Sequence, residues 1–411
     1  MDITITPGKL SGAVRVPPSK SAAHRLIIAA ALAKGRSVIT DVYYSKDVLA
    51  TIGAMKALGA GIECDGSTVT INGITTPPGK AVLDCCESGS TLRFLIPVAC
   101  ALGVEATFTG SGRLPARPIT PFLEALPAHG IEFDYAGTMP FTVRGRLTGG
   151  EFKIAGDISS QFITGLLLAL PLIPSESRIT LTSRLESRPY VDITRDVLAG
   201  YGCEVGEDAE GFTLSGTELK PYSGAVEGDY SQAAFFCVAN ALGSDIDISG
   251  LNVNSFQGDK KIVEICKEMV YNKNTALCRP KAFTIDCSDI PDLVPILAVL
   301  GAFCDGTSHI TGAARLRIKE CDRLAAMAQS INALGGKVTE REDGLDIEGV
   351  EALEGGTVPD FNDHRIPMAM AVAATRAKAP VTILGAQCVS KSYPDFFEVY
   401  EALGGKISRS D

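Results

Sequence analysis

Six times along the chain a short polar cluster runs directly into a small, almost wholly apolar segment. The polar starts fall at Lys20-Ser21, Gly89-Ser90, Ser159-Ser160, Asp229 to Ser231, Pro291-Asp292 and Asp363-His364. Counted from Ser21, Ser90, Ser160, Ser231, Pro291 and Asp363, the steps are 69, 70, 71, 60 and 72 residues. A fixed period constrains the fold more than any local propensity, because each copy must be the same unit and must bury its apolar face against its neighbours. Runs such as Ala29-Ala30-Ala31-Leu32, Leu166-Leu167-Leu168 and Val294-Pro295-Ile296-Leu297 are apolar nearly all round, as enclosed helices are. A buried helix that begins with Ser, Lys, Asp or Arg directs backbone N–H donors and its positive dipole end at whatever lies ahead. Six such ends brought together make an anion site.

A second helical pattern recurs between the apolar ones and ends each time at glycine: 47–57 into Leu58-Gly59, 119–128 into His129-Gly130, 191–198 into Gly200-Tyr201-Gly202, 323–333 into Leu334-Gly335, and 396–402 into Leu403-Gly404. Glycine in that position is the left-handed cap that stops a helix. Alternating segments with a turn follow at 62–71, 131–143, 203–214 and 338–347, and they predict paired strands. The fourth copy departs, with Tyr271-Asn272-Lys273 where glycine is expected. Each unit therefore reads strand, apolar helix, strand, amphipathic helix and two strands. Six units in two sets of three predict two similar α/β domains, parting near Pro221-Tyr222-Ser223-Gly224.

Composition excludes several classes. At 411 residues the chain is too long for one ordinary core, and 45% hydrophobic against 21% charged residues removes any disordered reading. Lys+Arg 38 against Asp+Glu 48 gives a net charge of −10, which argues against nucleic-acid or anionic-membrane partners. The longest apolar stretches, such as 162–174, fall short of the roughly 18 residues a span needs. The first residues read as a strand without a signal-peptide pattern. Twelve cysteines without a C-x-x-C pair suit small buried hydrophobes in a reducing, cytoplasmic setting.

The chemistry lies where cations gather at helix starts, the end where the dipole repels them. Lys20-Ser21 is followed one turn on by His24-Arg25. Arg93 follows Gly89, Arg117 heads the next helix, and Lys319 and Arg323 share a face across Glu320. Asn362-Asp363-His364-Arg365 and Lys391-Ser392 complete the set. Bound phosphate and carboxylate groups account for such a gathering. Asp292, Glu320 and Asp47 stand among these cations, which keep a carboxylate ionised and fit to act as a base. The P-loop, zincin and nucleophile-elbow motifs are absent from the sequence, and no His/Cys spacing suggests a metal.

The segment Leu316-Arg317-Ile318-Lys319-Glu320-Cys321-Asp322-Arg323-Leu324, with Asn362-Asp363-His364-Arg365, Lys391-Ser392-Tyr393-Pro394-Asp395, Ser159-Ser160-Gln161-Phe162 and Pro18-Ser19-Lys20-Ser21, resembles the EPSP synthase (3-phosphoshikimate 1-carboxyvinyltransferase) family over essentially the whole chain. The resemblance implies an inside-out α/β barrel-like architecture of two domains, each of three βαβαββ repeats. It divides the chain into residues 1–18 with 228–411 on the phosphoenolpyruvate side and 19–227 on the shikimate 3-phosphate side, crossing near Pro17-Pro18 and Glu227-Gly228, so that the first strand pairs with the C-terminal half. It implies transfer of the enolpyruvyl group of phosphoenolpyruvate to the 5-hydroxyl of shikimate 3-phosphate through a tetrahedral intermediate, without cofactor or metal, by a monomer.

By the same resemblance Ser21, Arg25, Ser159, Ser160, Gln161 and Ser187 contact shikimate 3-phosphate, with Tyr190 against its ring. Lys20, Gly89, Arg117, Arg323, Arg365 and Lys391 hold phosphoenolpyruvate, and Lys319 reaches both ligands. Asp292 is implied as the base on the 5-hydroxyl, with Glu320 and Lys20 moving the C3 proton. Two residues depart from the family pattern: Glu87 stands where many members have Asn, and Arg315 where some have Asn. The rival readings are an enolpyruvyl transferase acting on UDP-N-acetylglucosamine, whose loop Cys or Asp is absent from 110–118, and a non-catalytic phosphometabolite-binding paralogue.

Overall fold

The computed structural model describes residues 1–270 and 279–410; Tyr271-Asn272-Lys273, where the fourth copy was expected to depart, lies outside them. The chain opens with β1 (Asp2–Thr6) and β2 (Ser11–Arg15). The first repeat follows as α1 (Lys20–Leu32), β3 (Arg36–Thr40), α2 (Lys46–Ala57), β4 (Gly61–Asp65) and β5 (Thr68–Asn72). The second is β6 (Lys80–Asp84), α3 (Gly89–Leu102), β7 (Glu105–Thr109), α4 (Thr120–Ala125), β8 (Ile131–Asp134) and β9 (Phe141–Gly145). The third is β10 (Glu151–Ile154), α5 (Ser160–Ala169), β11 (Ser177–Leu181), α6 (Arg188–Gly200), β12 (Gly206–Asp208) and β13 (Gly211–Leu214). Beyond β14 (Ser223–Ala225), the fourth supplies α7 (Tyr230–Ala241), β15 (Asp245–Ser249) and α8 (Lys261–Val270). The fifth is β16 (Thr284–Asp286), α9 (Val294–Ala302), β17 (Thr307–Thr311), α10 (Arg323–Ala333), β18 (Lys337–Arg341) and β19 (Gly344–Glu348). The sixth is β20 (Gly356–Pro359), α11 (Arg365–Ala374), β21 (Val381–Leu384), α12 (Phe396–Ala402) and β22 (Lys406–Ser410).

Three repeats build their sheets from their own strands, in the orders β6-β7-β9-β8, β10-β11-β13-β12 and β16-β17-β19-β18. In each the first two strands run parallel, as a crossover through a buried helix requires, and the remaining pairs are antiparallel. These open sheets confirm the α/β class and the βαβαββ unit. The other repeats exchange strands. β2 directly precedes α1 yet pairs in parallel with β15, while β14 takes the vacant first place beside β3. β1 fills the inner place of the sixth sheet between β21 and β22, with Ile3 opposite Ile383 and Ile5 opposite Val381. The chain divides into two compact units, residues 1–17 with 228–411 and residues 18–227.

Within residues 18–227, α1, α3 and α5 carry the core. Ile27 to Ala31, Leu92, Leu95, Ile96, Phe162, Ile163 and Leu166 to Leu168 are all closed to solvent. Each large aliphatic among them contributes about 1.5–3 kcal/mol of burial. In the other unit α7, α9 and α11 play this part, and every residue of α9 is buried. The second helices differ in length from the sequence reading at two places. α4 ends at Ala125 because Pro127 cannot donate to the helix ladder, and a short 3-10 turn replaces its last part. α6 begins at Arg188, with Pro189 in the first turn, where a missing N–H costs nothing.

Candidate active site

Polar residues reach the starts of the buried helices by capping. Ser19 precedes α1 and its Oγ accepts from Ala22 N at 3.3 Å; Ser88 precedes α3 and accepts from Thr91 N at 3.1 Å; Ser159 precedes α5 and accepts from Gln161 N at 3.3 Å. Each cap satisfies one orphan donor and leaves the other first-turn N–H groups facing forward. Lys20, Gly89 and Ser160 are therefore the first residues of their helices, with Ser21 next along on α1.

In the unit of residues 18–227 these starts are tied to one another. Gln161 joins α3 to α5, accepting from Arg93 Nη1 at 2.7 Å and donating to Ser90 Oγ at 3.0 Å. Arg25, 2% exposed, spends its fork on Thr194 Oγ1 (2.7 Å), Ser21 O (2.7 Å), Thr164 Oγ1 (3.3 Å) and Tyr190 O (3.0 Å), and lies over the Phe94 ring. Arg25 thus braces α1 against α5 and α6. Ser187, just before α6, is buried with φ 54, in the left-handed region that L residues adopt at a cost. The Arg117 guanidinium lies against Gly89, where a Cβ would fall 2.6 Å from Nη1. Lys20 Nζ is held 2.8 Å from Asp47 Oδ2 in the first turn of α2. Its side chain keeps 19% exposure. The Glu87 carboxylate packs against Gly112, whose φ of 59 favours glycine.

The unit of residues 1–17 and 228–411 centres on Arg323, whose guanidinium is 2% exposed. Nη1 donates to Asp292 Oδ1 at 2.8 Å, Nη2 to Glu320 Oε2 at 2.8 Å, and Nε to Asp363 Oδ2 at 2.7 Å. Asp292 lies in the 3-10 turn ahead of α9, and its Oδ2 accepts from Arg365 Nη2 at 2.8 Å. Arg365 also donates to Asp292 O at 3.2 Å, and its own N–H is held by Asp363 Oδ1 at 3.0 Å. Lys391 Nζ donates to Asn362 O at 2.6 Å. Lys319 closes the 3-10 turn that leads to Glu320 and is half-buried. Arg315, on the same turn, donates to Ser288 O at 2.6 Å.

Charge follows from this geometry. Burial pushes the Asp292 carboxyl up, but Arg365, Arg323 and Lys319 overcome it and hold the group well below the usual carboxylate range. Asp363 is likewise held down, burial being outweighed chiefly by Arg323. Arg323 is raised in turn: Asp363, Glu320 and Asp292 outweigh its burial. Asp363 is closed to solvent, whereas the Asp292 and Glu320 side chains keep 19% and 18% exposure. The buried pair therefore acts as a fixed anchor, and the two carboxylates with an open edge are the ones a ligand can reach.

The structure brings Asp292, Glu320, Arg323 and Arg365 into direct contact in one unit, and Lys20, Ser21, Arg25, Gly89, Arg117, Ser160, Gln161 and Ser187 onto connected elements of the other. Sequence reasoning did not single out Asp363 as the anchor of Arg323, 40 residues away, nor Arg93 as the clasp on Gln161. Nothing in local spacing names such a partner; a carboxylate directly ahead of a buried Arg-led helix is the available sign. Among the described residues no group of three or more His, Cys, Asp and Glu is placed to hold a metal ion.

Repeated βαβαββ sheets with cations at the starts of buried helices define an α/β protein built to receive anionic ligands. The sequence profile described as EPSP synthase (3-phosphoshikimate 1-carboxyvinyltransferase) matches residues 5–400. A 3-phosphoshikimate 1-carboxyvinyltransferase of Clostridium kluyveri is 45% identical, covering 98% of both chains, and one of Clostridium novyi is 44% identical over 99% of this chain and 98% of its own. The solved EPSP synthase of Acinetobacter baumannii superposes with a TM-score of 0.82 at 27% identity, covering 99% of this chain and 100% of that one. The chain belongs to the EPSP synthase family. It is a 3-phosphoshikimate 1-carboxyvinyltransferase, an enzyme of the shikimate pathway that leads to chorismate and the aromatic amino acids. The UDP-N-acetylglucosamine reading is not favoured.

Proposed function

We propose that Asp292 is the base of this transfer, taking the proton of the 5-hydroxyl of shikimate 3-phosphate as its oxygen bonds to C2 of phosphoenolpyruvate. The observation that carries the reading is the Arg323 hub, which fixes two carboxylates with open edges, Asp292 and Glu320, on one buried guanidinium. A carboxylate held this acidic is an adequate base only for a hydroxyl that is losing its proton during bond formation. Glu320 and Lys20 deliver a proton to C3, which completes the tetrahedral intermediate. Return of that proton and loss of phosphate regenerate the double bond on the new oxygen.

In this reading Ser21, Arg25, Ser159, Ser160, Gln161, Ser187 and Tyr190 serve shikimate 3-phosphate. Arg25 and Gln161 do so partly by positioning, since their hydrogen bonds brace helix starts. Lys20, Gly89, Arg117, Arg323, Arg365 and Lys391 serve the phosphate and carboxylate of phosphoenolpyruvate, with Lys319 serving both ligands. First-turn N–H groups add fixed dipoles where charge develops. Each chain carries every residue assigned, which supports a monomer. Among the described residues no helix is long and apolar enough to cross a membrane. The eleven described cysteines are all free, which supports a cytoplasmic enzyme. The test is to mix the protein with phosphoenolpyruvate and shikimate 3-phosphate and follow phosphate release. Native protein is expected to turn over and Asp292→Asn to release almost none; native-like release from that variant would remove Asp292 as the base.

A further inference from the structure

One turn behind the Lys20–Asp47 pair, α1 and α2 meet a second time through side chains that the chemistry has left unused. His24 Nδ1 lies 2.7 Å from Thr51 Oγ1, Thr51 Oγ1 lies 2.7 Å from Thr91 Oγ1 on α3, and Thr91 Oγ1 donates to Ser88 Oγ at 2.7 Å. All four side chains are closed to solvent. Ser88 is the cap of α3, directly ahead of Gly89. The His24 ring also stands edge-on to Phe94 of α3, with centroids 6.4 Å apart. The row has a direction, because each hydroxyl has one proton to give. Thr91 gives its proton to Ser88 and so accepts from Thr51, and Thr51, its proton used there, accepts from His24. His24 therefore carries its proton on Nδ1, and its buried Nε2, with no hydrogen-bond partner, keeps only a lone pair. Burial, then Lys20 and Arg25, hold this imidazole well below the ordinary histidine pKa, so the ring is neutral.

We propose that His24 is a positioning residue for phosphoenolpyruvate: through Thr51 and Thr91 it keeps the starts of α1, α2 and α3 in register, so that Lys20 and the Gly89 turn address the same anion. The inference rests on the reading of Lys20 and Gly89 as phosphoenolpyruvate contacts. Lys20 reaches Asp47 on a flexible stem, so the outer contact tolerates sliding of α1 along α2. The inner contact does not, since threonine is short and stiff at χ1 and a buried directional row specifies one arrangement. Lys20 and Asp47 each lie four residues ahead of His24 and Thr51, so a slip at the inner contact is carried directly to the outer one. The elements assigned to shikimate 3-phosphate are tied separately, α3 to α5 by Arg93, Gln161 and Ser90, and α1 to α5 and α6 by Arg25. Loss of the row therefore falls on one substrate.

The test compares steady-state kinetics of His24→Leu, which removes the donor at similar volume, Thr51→Val, which removes the middle hydroxyl, and His24→Asn, whose amide nitrogen stands where Nδ1 stood. His24→Leu and Thr51→Val are each expected to raise the KM for phosphoenolpyruvate about tenfold and to leave that for shikimate 3-phosphate within about twofold. The double variant is expected to be no worse than either alone, since both cut the same row. His24→Asn is expected to recover most of the loss. An unchanged KM for phosphoenolpyruvate in His24→Leu, an equal rise for both substrates, or no recovery in His24→Asn overturns the proposal. Nitrogen NMR of the native protein, near pH 7, tests the row without any substitution. Among the four histidines, His24, identified by its contact with Phe94, is expected to be neutral with its proton on Nδ1. A charged ring, or a proton on Nε2, overturns the proposal. A native KM for phosphoenolpyruvate in Lys20→Ala would instead overturn the reading of Lys20, and the His24 tautomer would still be found.

Discussion

At Arg323 four hydrogen bonds reach three carboxylates in a buried setting, so the fork geometry matters as much as the charge. Arg323→Lys leaves at least one of Asp292, Glu320 and Asp363 without its donor. It is expected to cost about 3–5 kcal/mol of stability, the usual loss when a buried ion pair is broken on one side. Chemical denaturation of the ligand-free protein measures it. The same residues set the acid behaviour. Asp292 and Asp363 have folded-state pKa values depressed below 3.8, so their contribution is present above the unfolded value and is lost as pH falls through the folded one. Asp259 has the opposite sign: raised to about 7, it binds its proton more tightly when folded, so stability declines as pH rises from about 4 to about 7. Melting temperature in unliganded protein is therefore expected to peak near pH 4 and fall on both sides. Asp259→Asn is expected to flatten the neutral side alone. A residue-scale prediction of another kind concerns Gly89, where a Cβ would meet the Arg117 guanidinium at 2.6 Å. The obstacle is the far end of a flexible side chain, so Gly89→Ala is expected to fold normally while moving Arg117. The expected result is a KM for phosphoenolpyruvate raised by about tenfold, with the KM for shikimate 3-phosphate nearly unchanged.

At the scale of elements, helices were legible where packing and local chemistry agree. The apolar segments became α1, α3, α5, α7, α9 and α11 because a helix with no polar face has nowhere to sit except inside. The glycine ends held for the same reason: Gly59, Gly130, Gly202, Gly335 and Gly404 all have positive φ. Where the reading slipped, at the end of α4 and the start of α6, proline decided the boundary and periodicity did not register it. Candidate site residues were legible as types at helix starts, since cations there oppose the dipole. Their partners were not: Asp363 on Arg323 and Thr194 on Arg25 are separated by 40 and 169 residues, and folding alone makes them neighbours. The two helix classes predict different responses to the same kind of change. Leu297→Ala in α9, fully enclosed, is expected to cost about 2–5 kcal/mol through lost burial and the cavity left behind. Gln329→Ala, on the exposed face of α10, is expected to stay within about 0.5 kcal/mol of the native protein. Urea midpoints at constant slope compare them.

At the scale of the whole molecule, strand exchange was the feature least visible in the repeat. Each copy looks self-sufficient, yet β2, β14 and β1 each complete a sheet remote in sequence, because pairing is fixed by which edge is open rather than by which strand is nearest. The exchange gives the two units unequal dependence on chain continuity. Residues 18–227 are one uninterrupted segment that includes β14, the strand their first sheet needs, and they enclose a core running from Ala22 to Val226. The other unit is assembled from residues 1–17 and 228–411, and lacks β1 and β2 unless the N-terminal piece is present. Expressed alone, residues 18–227 are therefore expected to melt in a single cooperative transition. Residues 228–411 alone leave β15 without its parallel neighbour and β21 and β22 without the strand between them. They are expected to lack that transition and to regain it when residues 1–17 are joined by a short linker after Ser410, whose strand partner is Asp2. Circular dichroism melts of the three polypeptides make the comparison. A sharp native-like transition in residues 228–411 alone would mean that the exchanged strands add little, and that the helices α7, α9 and α11 hold the unit by themselves.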